Sequence, residues 1–340
     1  MKHRIRTALT LACLLLPLAA RAQSSGSITL DAVRARGQLL CGTSGTIAGF
    51  ALADSTGVIR GMDADACRAI AAAVLGDAEK VKFIGLTSMN RFTALQSGEV
   101  DVLVRNTGWS LKREASLGLL FASVNYWGGA AFLVKTASGI KAGKDLGGAT
   151  ICVLPGTSTE LELADWGRSQ KITFTPVLID GMDALFKAFI AGRCDALISD
   201  DSQVAGLRYL RGSAKDELTI LPDRIGSEPA GVVVRKGDDK WFDIARWVGF
   251  AQIEAENLGI TSKTVDQFAQ TTDPDTRRLL GIEGGLGTAL GLDDKWAYRI
   301  VAAVGNYGEM WERDLTPLGL ERGQNALWTK GGLAYAPPLR

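Results

Sequence analysis

The sequence has 340 residues, of which 46% are hydrophobic and 22% charged, and its formal net charge is +1. This length suits two globular domains with sizeable cores. The balanced charge argues against nucleic acid as a partner, because phosphate backbones select for a strongly basic protein face.

The first 22 residues predict a signal peptide that is cleaved after Ala22. A basic segment, MKHRIR, precedes the apolar segment TALTLACLLLPLAA, and ARA before Gln23 provides an A-x-A cleavage site. The apolar segment is too short to span a bilayer, and the alternatives are an N-terminal anchor or a lipoprotein signal that uses Cys13. We therefore expect a mature chain that is soluble and exported.

Cleavage would also remove the only histidine, His3, and four basic residues. The mature chain then has 34 basic and 37 acidic residues and a net charge of −3. Without histidine it cannot build a Ser-His-Asp triad, a Cys-His pair or a histidine metal site. This excludes most hydrolase chemistry, and we expect neither a metal nor a cofactor.

Four cysteines remain after cleavage: Cys41, Cys67, Cys152 and Cys194. An even number in an exported protein predicts disulfides, and four cysteines allow three pairings. Local order favours Cys41–Cys67 and Cys152–Cys194, since each pair would join neighbouring elements in one half of the chain. A zinc site built from all four is the competing interpretation, which their wide spacing without a C-x-x-C motif disfavours.

The first half of the mature chain predicts a βαβαβ unit and hence a parallel sheet with covered faces. The predicted strands are GQLLCGTS, KVKFIGL and VDVLVR. Between them lie two predicted helices, MDADACRAIAAAVLG, which has apolar residues at helical spacing, and NRFTALQSG, which ends at Gly98.

The same plan recurs in the second half of the chain. Residues 92–106 align with residues 186–200 at a constant offset of 94. In both copies a helix ends at a glycine, two residues follow, and an aspartate (Asp101 or Asp195) precedes a buried strand. We therefore predict two α/β halves that share one plan.

Polar residues follow both repeated strands. After the first strand come Arg105, Asn106, Thr107, Trp109, Ser110 and Arg113. After the second strand come Ser199, Asp200 and Asp201. Ligands gather beyond the carboxyl ends of strands in open α/β sheets. A guanidinium suits an α-carboxylate and a carboxylate suits an α-ammonium, so the two halves together predict a site for a small zwitterion.

A third segment, PGTSTE, agrees with this interpretation. It follows the predicted strand TICVL and starts a helix, with Thr157 or Ser158 as the N-cap. Free backbone N–H groups at such a helix end attract an anion. An ordinary capping box without a ligand is the alternative interpretation.

Five motifs carry a family resemblance when taken together: GMDADACRAIAAAV, FTALQSGEVDVLVRNT, GTSTEL, GRCDALISD and EPAGVVVRKGDDKWFD. They resemble the periplasmic amino-acid-binding proteins of ABC importers, solute-binding protein family 3. The long C-terminal segment from VGNYGEMWERDL onward is similar to that of the general L-amino acid-binding branch. The likeness covers essentially the whole mature chain.

The resemblance implies an α/β fold of the type II periplasmic binding proteins, with two lobes, a ligand cleft between them and two hinge strands. Lobe 1 would comprise residues 37–131 and 233–340, and lobe 2 residues 132–232. The hinge strands would be GGAAFLVK and PAGVVVRK, and glycines at element ends are hinge candidates. These candidates are Gly128, Gly129 and Gly231. The implied partners are an L-amino acid and an ABC permease in the inner membrane. The protein itself would be a monomer in the periplasm, and it would not be an enzyme.

The resemblance also implies site roles. Arg113 would hold the α-carboxylate together with donors from Thr157 and Ser158, and Asp200 would receive the α-ammonium. Asn106 and Thr107 would line the site from the binding turn. Ser88 and Arg91 would reach the ligand side chain. Phe50 and Trp109 would pack on the stem of the ligand.

Two positions depart from the family pattern. Gly108 stands where relatives commonly have Thr or Ser, so one hydroxyl for the α-carboxylate would be missing. Asp201 stands where many have glutamine, and its carboxylate would either weaken acidic ligands or face solvent. Arg105 is interpreted as a solvated surface charge. The alternative functions are a cleft enzyme of the cyclohexadienyl dehydratase type, with Asp201 as general acid, and a sensory or chemotaxis receptor.

Overall fold

The computed structural model describes residues 25–340. The predicted signal peptide, its cleavage site after Ala22 and Cys13 lie outside the described residues. The strands of the described range are β1 (Leu39–Thr43), β2 (Thr46–Ile47), β3 (Ala51–Ala53), β4 (Ile59–Arg60), β5 (Val81–Gly85), β6 (Val102–Gly108), β7 (Leu119–Lys135), β8 (Thr150–Val153), β9 (Thr175–Leu178), β10 (Ala196–Asp200) and β11 (Leu218–Arg235).

The α-helices of the same range are α1 (Ile28–Arg36), α2 (Met62–Leu75), α3 (Arg91–Ser97), α4 (Leu111–Ser116), α5 (Ser158–Gln170), α6 (Met182–Ile190), α7 (Asp201–Leu210), α8 (Asp239–Asn257), α9 (Pro274–Leu279), α10 (Leu286–Ala289), α11 (Trp296–Ala303) and α12 (Tyr307–Asp314). Thr157 caps α5 by accepting a hydrogen bond from the N–H of Glu160. Within residues 25–340, none of these helices is long and apolar enough to cross a membrane.

Eight strands form one sheet in the order β5-β1-β6-β11-β7-β10-β8-β9. β1 pairs in parallel with β5 and β6, and β8 with β9 and β10, so the predicted strand–helix order is confirmed in both halves. The predicted parallel sheet is only part of this arrangement, because β7 and β11 run antiparallel to their neighbours. A small antiparallel sheet of β2, β3 and β4 precedes α2, and the sequence pattern did not predict it.

β7 and β11 are the two strands that connect the lobes. They pair with each other along their whole length, from Leu119 opposite Arg235 to Lys135 opposite Leu218. One end of this pair lies beside β6 and the other beside β10. The register shifts inside β11, for example between Ile225 and Glu228, and such bulges bend a strand locally. Both predicted hinge segments fall on these two strands, apart from Lys236, which directly follows β11.

Two of the glycines on these crossing strands allow a close backbone approach. A Cβ on Gly231 would lie 1.9 Å from Ser123 O, and a Cβ on Gly129 would lie 2.8 Å from Gly226 O. Any side chain at either position would push the two strands apart. In this conformation, the two glycines are therefore needed because only a residue without a side chain fits between the strands.

The internal repeat has a structural basis. Asp101 accepts a hydrogen bond from Leu40 N at 2.7 Å, and Asp195 accepts one from Thr150 N at 2.8 Å. Each carboxylate thus satisfies an N–H near the start of the neighbouring parallel strand. The glycines that follow the two preceding helices both have left-handed φ angles, 82° and 81°.

Disulfide bonds join Cys41 to Cys67 and Cys152 to Cys194, the pairing that local order favoured. These bonds overturn the competing four-cysteine zinc interpretation. The first bond ties β1 to α2, and the second ties β8 to the residues just before β10. The C-terminal helices α8, α11 and α12 pack on α2 in the largest core, where Trp311 is almost fully buried.

Candidate functional site

A small cavity lies where β6, β10 and the N-terminus of α5 meet. The predicted site residues that line it are Arg91, Asn106, Thr157, Ser158 and Asp200. A neighbouring space shares Asn106 and Asp200 with the first and adds Glu162 and Glu228. The two spaces together form the candidate ligand site.

A wider groove, of about 890 Å³, opens on the surface beside β3 and α12. None of the predicted site residues lines this groove. Charged side chains in it pair with one another, as Arg60 does with Asp54 and Arg313 with Asp65. We place the site in the smaller cavity because buried groups of both charges converge there.

Three buried arginines lie at or beside the cavity. Arg91 and Arg105 line it and are 2% and 4% exposed, whereas Arg113, 8% exposed, lines neither space and pairs with Glu228. Burial lowers the pKa of each guanidinium, that of Arg105 to about 10. Arg105 donates to Leu86 O and Arg113 donates to Gly108 O, both at 2.7 Å. The interpretation of Arg105 as a solvated surface charge is therefore wrong.

Arg91 is the least satisfied member of this cluster. Within residues 25–340, its Nε has no hydrogen-bond partner although it is buried. Its guanidinium stacks over Phe92 at 4.7 Å from the ring centroid. A buried cation with an unpaired donor is costly, so this position favours an anionic or strongly polar ligand group.

Asp200 supplies the opposite charge at the end of β10. It accepts hydrogen bonds from the hydroxyl of Thr159 at 3.1 Å and from the amide of Gln203 at 2.7 Å. Burial, followed by the charges of Glu228 and Asp201, raises the pKa of Asp200 to about 7. A ligand ammonium group would favour its ionised form, because an opposite charge offsets the cost of burial.

The carboxyl-terminal part of β6, which forms the expected binding turn, is held by a buried carboxylate that the sequence interpretation missed. Asn106 has a left-handed φ of 43°, which is uncommon for a residue with a side chain. Its backbone N–H donates to Asp63 at 2.9 Å, and Asn125 donates to the other oxygen of Asp63 at 2.8 Å. Burial raises the pKa of Asp63 to about 6. Asp63 thus positions the binding turn from the start of α2.

Ser88 and Thr107 lie outside the residues that line the two spaces. Ser88 Oγ lies 2.9 Å from Pro155 O and 3.1 Å from Asp180 Oδ1, so it connects the two lobes directly. Thr107 is fully buried, and its hydroxyl donates to Arg105 O at 3.3 Å.

The structure does not bring Trp109 or Phe50 to the cavity. The Trp109 indole donates to Glu114 at 2.6 Å, and its ring stacks on Phe121 with centroids 5.5 Å apart. Phe50 is fully buried and meets Tyr126 edge-on at 5.5 Å. The expected packing of both rings on a ligand stem does not fit this geometry, since each ring already faces a neighbour in lobe 1.

Asp201 also differs from expectation. It is only 4% exposed, so the second of the two alternatives, that its carboxylate faces solvent, is wrong. It accepts from the Tyr126 hydroxyl at 2.9 Å and forms an ion pair with Arg224. It is absent from the lining of both spaces. Asp201 therefore joins α7 to the crossing strands, and the geometry does not present it as a general acid for the dehydratase alternative.

Glu228 is the most informative residue that the sequence interpretation missed, although the motif EPAG contains it. Its carboxylate accepts a hydrogen bond from Ser158 Oγ and lies 3.6 Å from Nη1 of Arg113. The side chain is 17% exposed. The sequence did contain a signal for this residue, namely a carboxylate directly before a proline on a predicted hinge strand.

Comparisons with known proteins show the family to which the chain belongs. Residues 39–270 match the family described as bacterial extracellular solute-binding proteins, family 3. The chain is 48% identical over 335 residues to the putative amino-acid ABC transporter-binding protein YhdW of Escherichia coli K12, covering 97% of this chain and 98% of that protein. It is 45% identical over 330 residues to the general L-amino acid-binding periplasmic protein AapJ of Rhizobium johnstonii, covering 95% and 96%.

A solved structure extends the agreement to the fold. An ABC transporter periplasmic binding protein from Brucella ovis, with glutathione bound, is 45% identical. It superimposes with a TM-score of 0.89 over 92% of this chain and 99% of that chain. The two-lobe α/β fold and the family resemblance drawn from the sequence motifs are both confirmed.

Proposed function

The chain belongs to family 3 of the bacterial extracellular solute-binding proteins, and from this premise we propose that it captures L-amino acids between its lobes and delivers them to an ABC permease. The observation that carries the proposal is one small cavity with buried arginines from lobe 1 and Asp200 from lobe 2. This arrangement suits the two charges of an α-amino acid.

We assign the α-carboxylate to Arg113 and to the N-terminus of α5, where Thr157 is the N-cap and Ser158 the first helical residue. The helix end and the guanidinium both favour a negative charge there. Asp200 takes the α-ammonium. Asn106 lines the space between these groups and is held in place by its bond to Asp63.

We assign the ligand side chain to the region of Arg91. Its unpaired Nε and its full burial favour a carboxylate or amide at the end of the ligand side chain. A related protein of Rhodobacter capsulatus, 48% identical over 323 residues, is named a glutamate/glutamine/aspartate/asparagine-binding protein. These amino acids are therefore the first to test among the twenty.

The remaining assignments follow from the same function. We propose that the mature protein is a periplasmic monomer released by cleavage after Ala22, and that its permease lies in the inner membrane. We keep residues 37–131 with 233–340 as lobe 1 and 132–232 as lobe 2. These limits place the change of lobe on the paired strands β7 and β11, which connect the two parts of the sheet.

Calorimetric titration of the mature chain tests this proposal. The protein is unfolded and refolded first, to remove ligand carried through purification, and is then titrated with each L-amino acid. We expect dissociation constants near micromolar or below, about −8 kcal/mol or stronger. Acetate, methylamine and glucose serve as controls that carry one charge or none. Binding of a control in place of the amino acids would contradict the zwitterion site.

A further inference from the structure

Glu228 makes contacts with both lobes from a position on the hinge. It lies on β11, where the pairing with β7 shifts register. One oxygen accepts from Ser158 at the N-terminus of α5, and the other lies 3.6 Å from Arg113 on α4. A single carboxylate thus ties a helix of lobe 2 to a helix of lobe 1.

The two partners of Glu228 are the groups assigned above to the ligand α-carboxylate. A carboxylate of the chain therefore already lies where the guanidinium and the helix end favour negative charge. A second carboxylate at the same donors would meet like-charge repulsion and would find the Ser158 hydroxyl in use. The ligand and Glu228 cannot make these contacts at the same time.

Gly108 provides the room for the Glu228 side chain. A Cβ on Gly108 would lie 1.9 Å from Cδ of Glu228 and 2.1 Å from both of its carboxylate oxygens. Gly108 is not among the glycines with positive φ, so its backbone does not require glycine. The absence of a side chain at this position, noted above as a departure from relatives, is thus explained by the space that Glu228 fills.

The charge of Glu228 also raises the pKa values of two neighbouring carboxyl groups. Burial is the main reason for the raised pKa of both Glu162 and Asp200, to about 7 in each case, and the charge of Glu228 is the second cause for both. The cavity therefore holds three carboxylates close together. An incoming amino acid would bring its own α-carboxylate in place of Glu228, and only its α-ammonium group would offset this repulsion.

We propose that the Glu228 carboxylate and the ligand α-carboxylate are alternative occupants of one subsite, so that Glu228 sets the affinity of the protein for amino acids. This inference rests on the proposed function. Binding then requires Glu228 to leave Arg113 and Ser158. The apparent dissociation constant equals the intrinsic one divided by the fraction of molecules in which Glu228 has left the subsite. If Glu228 occupies the subsite about 90% of the time, the affinity is reduced about tenfold.

The test compares Glu228→Gln and Glu228→Ala with the unsubstituted protein. The control is Glu99→Gln, which removes one exposed carboxylate from the segment between α3 and β6. Calorimetric titration with L-glutamate and L-glutamine measures affinity. Small-angle X-ray scattering of ligand-stripped protein measures the radius of gyration. We expect both Glu228 variants to bind about tenfold more tightly. We also expect a larger radius without ligand, because the tie between α4 and α5 is lost.

The outcomes separate this inference from the proposed function. Unchanged or weaker binding by the Glu228 variants, while the unsubstituted protein binds normally, would overturn the inference alone. Weaker binding would instead indicate that Glu228 contacts the ligand ammonium beside Asp200. Absence of amino-acid binding by every protein in the set would overturn the proposed function and this inference with it.

Discussion

Lowering the pH from 8 to 6 should weaken amino-acid binding by roughly tenfold, because Asp200 loses its charge in this range. Its pKa is raised from 3.8 to about 7, first by burial and then by Glu228 and Asp201. The ionised fraction then falls from about 0.9 to about 0.1, and only the ionised carboxylate attracts the ligand ammonium. The free ligand keeps its ammonium and carboxylate charges throughout this range.

The assay is calorimetric titration with L-glutamine at pH 6, 7 and 8, since its side chain does not titrate. Asp200→Asn should weaken binding at pH 8 by roughly 10- to 150-fold, the range for losing one hydrogen bond to a charged group. That variant should also show a flat pH profile. Glu162→Gln is the matched control, because the pKa of Glu162 is also raised to about 7.

A flat profile in the unsubstituted protein would refute the assignment of the ammonium to Asp200. The same conclusion would follow if Asp200→Asn kept the full pH dependence and Glu162→Gln lost it.

Stability offers an independent check of the raised pKa of Asp200. Because folding favours the protonated form of Asp200, its contribution to stability is lost as pH rises through about 7. The melting temperature of ligand-free Asp200→Asn should therefore exceed that of the unsubstituted protein more at pH 8 than at pH 5.

Three further predictions concern single side chains. Arg113→Ala should abolish measurable calorimetric binding of every L-amino acid, with the exposed Arg193→Ala as control; normal binding would show that the α-carboxylate lies elsewhere. Arg91→Ala should change the order of preference among amino acids more than the overall affinity, and equal losses for acidic, amide and aliphatic ligands would contradict its side-chain role. Asn325→Ala should lower the free energy of unfolding by about 1–3 kcal/mol, because Asn325 accepts from the N–H of Trp127 at 2.7 Å and donates to its carbonyl at 2.8 Å. Chemical denaturation measures this loss, and an unchanged midpoint and slope would mean that the C-terminal segment does not hold β7 through these bonds.

Local patterns in the sequence determined much of the fold. The alternation of strands and helices, the repeat at an offset of 94 and the pairing of neighbouring cysteines all depend on residues close together in the chain. The polar residues at the ends of β6 and β10 were found in the same way, because ligands gather beyond the carboxyl ends of strands in α/β sheets. Arg91, Asn106, Ser158 and Asp200 do meet at one cavity.

The tertiary structure decided which of these polar groups face one another. Glu228 reaches Arg113 and Ser158 across 115 and 70 positions of the sequence. The pairing of β11 with β7 shifts register directly before Glu228, and a register shift is invisible to a pattern of alternating residues. Asp201 likewise turns to Tyr126 and away from the cavity, through contacts that exist only once α7 packs on β7. The sequence by itself therefore determined the class of the site, and only the packing of the two lobes decided which carboxylate occupies each position.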